Sequence, residues 1–415
     1  MAKISPPMMN NDETLAFTCD ISDVQEKLKV VLDKYGCAIV TNVLGAEEQI
    51  KAYALFDKDV RSLVVDLQAP VPKRKRTCDG FTQRGTPCLV DSDAHGHQFK
   101  NARPLRLGVD YCSRHMPVGK LKRKPKEFVT DVDWMSTSYE NTIAPKGSCP
   151  YFGLPQGDFS WYCRQHPKVS ETFAAAYGES DLVVSLDVPF FVPKGSKRNH
   201  SNTCWAHVDQ NDRCFHLRSE TTTYQGILYI SEANDDSSTT VVWPASHLNY
   251  ERILEKLTSK QKDHYVALAQ LDEPNELLAD WKQNARRARI PAGSLFLWTS
   301  RTVHMGWSSG HRLAQAISME PRARRTLEAK YKKLNLVAKG LPSTHWASLG
   351  LEHSKGLVGE TNVAFVTNDA HTVKIEHFPS RSRFAGHGFD DGDELNDMER
   401  QILLQVVPAD RAALL

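Results

Sequence analysis

The feature that most narrows what this chain can fold into is the pairing of Trp205-Ala206-His207-Val208-Asp209-Gln210 with Thr302-Val303-His304-Met305-Gly306, with Arg312 eight residues after His304. His-x-Asp with a distant second His is the ligand set of a mononuclear non-haem iron(II) oxygenase. If His207 and Asp209 lie on a β-strand they project from one face, and both can reach one metal ion. The fold must then bring His304, almost a hundred residues further on, back to the same point from another strand. Two imidazoles and a carboxylate occupy one face of an octahedron and leave the other open for a bidentate co-substrate and dioxygen. A dicarboxylate such as 2-oxoglutarate chelates iron through its oxo-acid end and presents a free carboxylate at the other end. The planar guanidinium of Arg312 fits that carboxylate better than a lysine point charge does.

The surrounding sequence supplies strands to carry these residues. Residues 225–231 and 238–243 read as buried strands, the second ended by the turn Pro244-Ala245-Ser246-His247. Ile290-Pro291-Ala292-Gly293 is turn chemistry, and residues 294–298 form an apolar run that delivers His304 just beyond its end. From Arg312 onward, Arg312, Ala314, Ala316 and Ser318 alternate with Leu313, Gln315, Ile317 and Met319. One face is small and polar, headed by Arg, as a co-substrate pocket requires. The competing reading makes His207 and His304 structural histidines and pairs Arg312 with a surface acid. The ordered set of strand, His-x-Asp, two strands, His and Arg weighs against it. His247 reads as a residue that holds its turn together, and His200, His216 and His311 lack an i, i+2 carboxylate partner.

These residues resemble the phytanoyl-CoA dioxygenase-like branch of the Fe(II)/2-oxoglutarate-dependent oxygenases. The matching pieces are Tyr35-Gly36-Cys37-Ala38-Ile39-Val40-Thr41-Asn42-Val43-Leu44, Leu182-Val183-Val184-Ser185-Leu186-Asp187, His207 to Asp209, Trp243-Pro244-Ala245-Ser246-His247, and His304 with Arg312. They cover residues 20–60 and 140–320, with a long interruption between. The resemblance implies a mainly β fold with flanking helices: a double-stranded β-helix, a jelly roll of the cupin kind, with iron at its open end. It also implies a dioxygenase that couples oxidative decarboxylation of 2-oxoglutarate to hydroxylation of an unactivated C–H bond, with succinate and CO2 as co-products. Asp209 speaks against halogenation, because the related halogenases vacate the carboxylate position for chloride. Desaturation and cyclisation stay open, as does the primary substrate. Many relatives place a Ser two residues after the Arg where this chain has Ala314, so a second donor to the distal carboxylate is unassigned.

Along the chain, residues 23–34 carry apolar side chains at helical spacing, and Tyr35-Gly36 ends that helix. Residues 37–43 read as a strand and 47–64 as a second helix. Between residues 68 and 126 the texture changes to a basic, loop-rich insert, opened by Pro72-Lys73-Arg74-Lys75-Arg76 and closed by Lys120-Leu121-Lys122-Arg123-Lys124-Pro125-Lys126. Within it, Cys78, Cys88, Cys112 and His115 offer three thiolates and an imidazole, the complement of a closed tetrahedral Zn(II) site. Zinc would supply the folding free energy of a segment with no core of its own. The x9 spacing between Cys78 and Cys88 is looser than usual, His95 and His97 are rival ligands, and a loop with free thiols is the alternative. The flanking charge runs read as solvated boundary, as a nuclear import signal, or as a docking site for a nucleic-acid or protein substrate brought to the same iron. A non-catalytic jelly-roll binding protein is the remaining reading, and a scaffold has no need of all four of His207, Asp209, His304 and Arg312.

The expected division is therefore 1–67 as the N-terminal part of the oxygenase fold, 68–126 as the insert, 127–320 as the catalytic jelly roll, and 321–415 as a helical and irregular cap whose clearest helix spans 324–336. Nine cysteines, no apolar leader in residues 1–20 and no apolar run of membrane-spanning length point to an intracellular chain, cytoplasmic or nuclear, rather than a secreted or membrane one. A formal charge of only +2 excludes a generic polyanion binder.

Overall fold

The computed structural model describes residues 6–65, 143–194, 196, 205–212, 222–256, 265–270, 274–350, 363–367, 372–376 and 397–415. The insert residues Cys78, Cys88, Cys112 and His115, their rivals His95 and His97, and the basic runs lie outside the described residues, as do His200 and His216. Among the described residues no helix is long and apolar enough to cross a membrane.

Two sheets form the body of the molecule. Their strands are β1 (Cys37–Thr41), β2 (Leu182–Val184), β3 (Pro189–Val192), β4 (His207–Val208), β5 (Tyr224–Tyr229), β6 (Thr239–Val242), β7 (Arg286–Arg287), β8 (Ser294–Thr299), β9 (His304–Trp307) and β10 (Arg312–Pro321). The larger sheet runs from Thr18–Asp20 through β1, β8 and β5 to β10. Both β3 and β2 pair with β10, β3 along Arg312 to Gln315 and β2 along its end. The smaller sheet runs β7, β6, β9, β4 and Val266–Ala267. From β3 to β10 the chain shuttles between them, setting the row β8-β5-β10-β3 against the row β7-β6-β9-β4. This is the winding of a jelly roll.

The period-two alternation of each strand decides which side chains look into the roll. In β5, Ile227 and Tyr229 join the layer between the sheets, while Leu228 packs outward beneath the helices. In the smaller sheet Ala206, Val208, Val303 and Met305 all pack on its outer side. His207 and His304, each set between two of these, therefore face inward. The outer side of the larger sheet is covered by α1 (Val24–Tyr35), α2 (Ala46–Leu63), α3 (Asp158–Arg164), α4 (Pro167–Tyr177) and α5 (Leu327–Lys339). Val24, Leu28 and Leu32 supply the buried stripe of α1, and Gly36 ends it at φ 70°. A Cβ at Gly36 would stand 2.4 Å from His247 Nδ1 and 2.5 Å from Thr302 Oγ1, so the position excludes a side chain for space as well as for backbone conformation.

Some boundaries differ from the sequence expectation. β4 ends at Val208, and Asp209 follows it with its N–H donating to the Ser300 carbonyl at 2.9 Å. The His-x-Asp pair thus straddles a strand end, although both side chains keep the inward direction. The helix expected over 324–336 runs Leu327–Lys339, because Thr326 takes extended backbone and caps the Ala329 N–H at 3.1 Å. Beyond it the C-terminal part contains, besides helices Asp397–Val406 and Ala409–Leu414, a hairpin of Val363–Thr367 and Thr372–Glu376 that pairs with Val64–Val65.

Candidate active site

The inward faces of β4 and β9 bring the three residues singled out in sequence together. His207 and His304 are directly paired across the smaller sheet, and Asp209 lies at the end of β4. Each imidazole is oriented by its own chain: His207 Nδ1 lies 3.0 Å from the Trp205 carbonyl and His304 Nδ1 3.0 Å from the Thr302 carbonyl. A carbonyl can only accept, so each Nδ1 carries a proton and Nε2 is the ring nitrogen left to bind a metal. That is the tautomer and second-partner arrangement typical of metal-ligating histidines. Thr302 is itself tied down, its hydroxyl donating to the Gly36 carbonyl at 2.7 Å. The corner at the end of α1 thus supports the ring of His304.

Both Nε2 atoms point at one carboxylate. His207 Nε2 is 3.2 Å from Asp209 Oδ1, and His304 Nε2 is 3.1 Å from Oδ2. Neighbouring ligand atoms of an octahedral ion with bonds of about 2.1 Å stand about 3.0 Å apart. The donor set and spacing fit a divalent transition metal, and among the described residues these three form the one group of such donors. Gln225 Nε2 donates to Asp209 Oδ2 at 2.9 Å and fixes the carboxylate's rotation. Burial alone would raise the Asp209 carboxyl, but the charges of His207, His345 and His304 outweigh it and hold it well below the usual carboxylate range. Trp205, 50% exposed, lies over His207 at 4.5 Å between ring centroids and 18° between planes, forming an aromatic flank to the site.

Arg312 opens β10 and turns inward with Ala314, Ala316 and Ser318, while Leu313, Ile317 and Met319 join the helix-covered core. It is 5% exposed and makes no ion pair among the described residues. One terminal nitrogen donates to Tyr229 Oη at 2.9 Å, that oxygen also lies 2.9 Å from Thr240 Oγ1, and Nε has no partner. Its guanidinium lies 4.3 Å from the Phe190 ring centroid and 4.9 Å from that of Tyr229. Desolvation pulls its pKa below the ordinary value, so the pocket holds a cation without the anion that would offset its burial. Arg312, the triad and Thr240 line one cavity of about 350 Å³.

Several lining residues were not singled out in the sequence: Asp187, Gln225, Thr240 and His345. Gln225 and Thr240 were legible from alternation, since Gln225 shares a face with Ile227 and Tyr229, and Thr240 with Val242. His345 arrives on an irregular segment after α5 that carries no periodic signal. His247 ties its turn to the end of α1, Nε2 lying 3.0 Å from the Asp33 carbonyl, and His311 Nδ1 lies 2.9 Å from the Val192 carbonyl.

No protein-family model matches this sequence, and no curated protein matches it. Solved structures do. The non-haem alpha-ketoglutarate-dependent carbocyclase SnoK from nogalamycin biosynthesis is 10% identical at a TM-score of 0.40, covering 74% of this chain and 87% of its own. GlcNAc Inducible Gene 2 (DUF1479) from Candida albicans is 10% identical at 0.43, covering 93% and 83%. EctD from S. alaskensis in its apo form is 10% identical at 0.35, covering 86% and 96%. Overlaps this loose carry no argument about chemistry; the strand order and the converging donors do. The architecture itself, two facing sheets wound by one chain, is that of a jelly roll.

Proposed function

We propose that this chain is an Fe(II)- and 2-oxoglutarate-dependent dioxygenase that hydroxylates a C–H bond, with succinate and CO2 as co-products. One observation carries the reading: in a single cavity two imidazole Nε2 atoms and a carboxylate converge, beside a buried arginine with no acidic partner among the described residues. His207, Asp209 and His304 would hold the iron, and Arg312 the far carboxylate of the co-substrate. Iron with 2-oxoglutarate, when bound, supplies dioxygen activation and, through oxidative decarboxylation, the oxidising equivalents for hydroxylation.

The chain's own residues do the rest. The Trp205 and Thr302 carbonyls keep both Nδ1 atoms protonated, so the ring nitrogens facing Asp209 stay available as donors. Gln225 holds the carboxylate in one rotamer. Thr240 and Tyr229 present hydroxyls beside Arg312, and they are the candidates for the second donor that Ala314 cannot be. Phe190 and Tyr229 hold the guanidinium between their faces and keep water from its sides.

The test measures Mn(II) binding to the full chain and Fe(II)-dependent release of succinate from 2-oxoglutarate, in wild type and Asp209→Ala. Stoichiometric metal binding and succinate release in the wild type, both lost in a variant with unchanged circular dichroism, support the reading. Full succinate release by the variant sinks the triad.

A further inference from the structure

One buried carboxylate in the cavity belongs neither to the triad nor to the Arg312 pocket. Asp187 follows β2 and reaches the same cavity as the triad, 7% exposed. Its Oδ2 accepts the Ser185 hydroxyl at 2.5 Å, and its Oδ1 has no hydrogen-bond partner among the described residues. The cation nearest in charge, Arg164, does not pair with it: NH1 and NH2 of that guanidinium donate to the main-chain carbonyls of Pro155 and Asp187, at 2.7 and 2.6 Å. Gln315 Nε2 likewise donates to the Asp187 carbonyl at 3.0 Å. The backbone is thus clamped while the carboxylate is left facing the cavity. A buried ionisable group held in this way costs stability unless a ligand completes it.

Position says which ligand. Ser185 and Ser318 exchange hydrogen bonds, Ser318 N to Ser185 Oγ at 3.0 Å and Ser185 N to the Ser318 carbonyl at 2.8 Å, so Asp187 lies beside Ser318. Ser318 is on the inner face of β10 with Arg312 but six residues on, about 20 Å along the strand. Across the sheet it pairs with Gln225, the residue that holds Asp209. Asp187 therefore belongs to the metal end of the cavity, away from the arginine that would bind the co-substrate. The lining at that end includes Trp205, Tyr265 and Trp298, whose rings lie beside His207 and His304. A carboxylate oxygen can only accept, and aromatic faces attract cations.

We propose that Asp187 is the recognition point for a cationic nitrogen of the primary substrate, so that this cavity takes an amine. The proposal rests on the oxygenase reading for the word substrate, and on the cavity alone for the binding. Burial pushes the Asp187 carboxyl up to about 6, with the Ser185 hydrogen bond and the Arg164 charge opposing. It remains largely ionised at neutral pH.

The test uses tyramine, its uncharged counterpart 4-ethylphenol, and the acid 3-(4-hydroxyphenyl)propionate as probes. Ligand-observed NMR titrations follow each on the full chain, with and without Mn(II) and 2-oxoglutarate. Tyramine is expected to bind at least tenfold more tightly than 4-ethylphenol, with the acid weakest in the loaded protein. Asp187→Asn should remove that preference and leave 4-ethylphenol within twofold, while Asp187→Glu should retain part of it. Equal affinity for tyramine and 4-ethylphenol in the wild type, no binding of tyramine, or a preference that survives in folded Asp187→Asn overturns the proposal. If the Asn variant does not fold, the wild-type comparison and the Glu variant decide. The two readings fail separately: absent Mn(II) binding ends the oxygenase assignment, and absent amine preference ends this one.

Discussion

Replacing Arg312 with lysine isolates what the guanidinium contributes beyond its charge. The wild-type side chain is buried, flanked by Phe190 and Tyr229, and already spends one N–H on Tyr229 Oη, leaving Nε and the rest of the fork for a ligand. A carboxylate seated there takes two parallel charge-assisted bonds. Lysine keeps the charge but offers no planar fork, so one such bond is lost, worth about 1.5–3 kcal/mol. At about 1.4 kcal/mol per tenfold, the Kd for 2-oxoglutarate should rise by about 10- to 150-fold. Calorimetric titration of the Mn(II)-loaded protein with 2-oxoglutarate measures this directly, and Mn(II) affinity, which depends on the triad, should not move. An unchanged 2-oxoglutarate affinity would refute the assignment and show that another cation holds the co-substrate.

The remaining predictions concern the supports. Tyr229→Phe removes the hydroxyl between Arg312 and Thr240, and should weaken 2-oxoglutarate by about 2- to 12-fold, for about 0.5–1.5 kcal/mol, without altering the metal titration. Asp59 on α2 accepts the N–H groups of Asp158 and Phe159 at the start of α3, at 3.1 and 2.9 Å, so Asp59→Ala should cost about 2–4 kcal/mol, read as a lowered denaturation midpoint. Burial pushes the Asp59 carboxyl from 3.8 up to about 7. In that window the folded state holds a proton the unfolded chain has released, so this group's contribution to stability falls as pH rises. The difference in unfolding free energy between wild type and Asp59→Asn should therefore slope with pH across that window, and parallel curves would contradict it. Metal analysis should find about one zinc per chain besides exchangeable iron, lost in Cys78→Ser with Cys112→Ser while the iron site still turns over 2-oxoglutarate. Zinc unchanged in that double variant leaves the insert as a thiol-bearing loop.

The site was legible in sequence to the extent that it lies on strands. His207, His304 and Arg312 stand between residues whose apolar neighbours pack outward, and simple alternation turns them toward one another. The same rule applied to residues 225 and 240 finds Gln225 and Thr240. It does not find Asp187 or His345, which reach the cavity from chain outside any strand, where direction is set by tertiary hydrogen bonds rather than by period. The C-terminal hairpin was hidden for a related reason: its strand partner, Val64–Val65, comes from the far end of the sequence.

The parity of the strands sets how such a chain can change length. His207, His304 and Arg312 each occupy one phase of a two-residue repeat, and a slip of one position exchanges every inward residue for its outward neighbour. Losing one residue between Arg312 and Ser318 would put Met319 where Ser318 faces the cavity, whereas losing two would keep the phase. Length can therefore vary freely where the chain crosses between strands, and only in even steps within them. In a lineage of such proteins, insertions should accumulate in the crossings, and the interior should change by substitution alone.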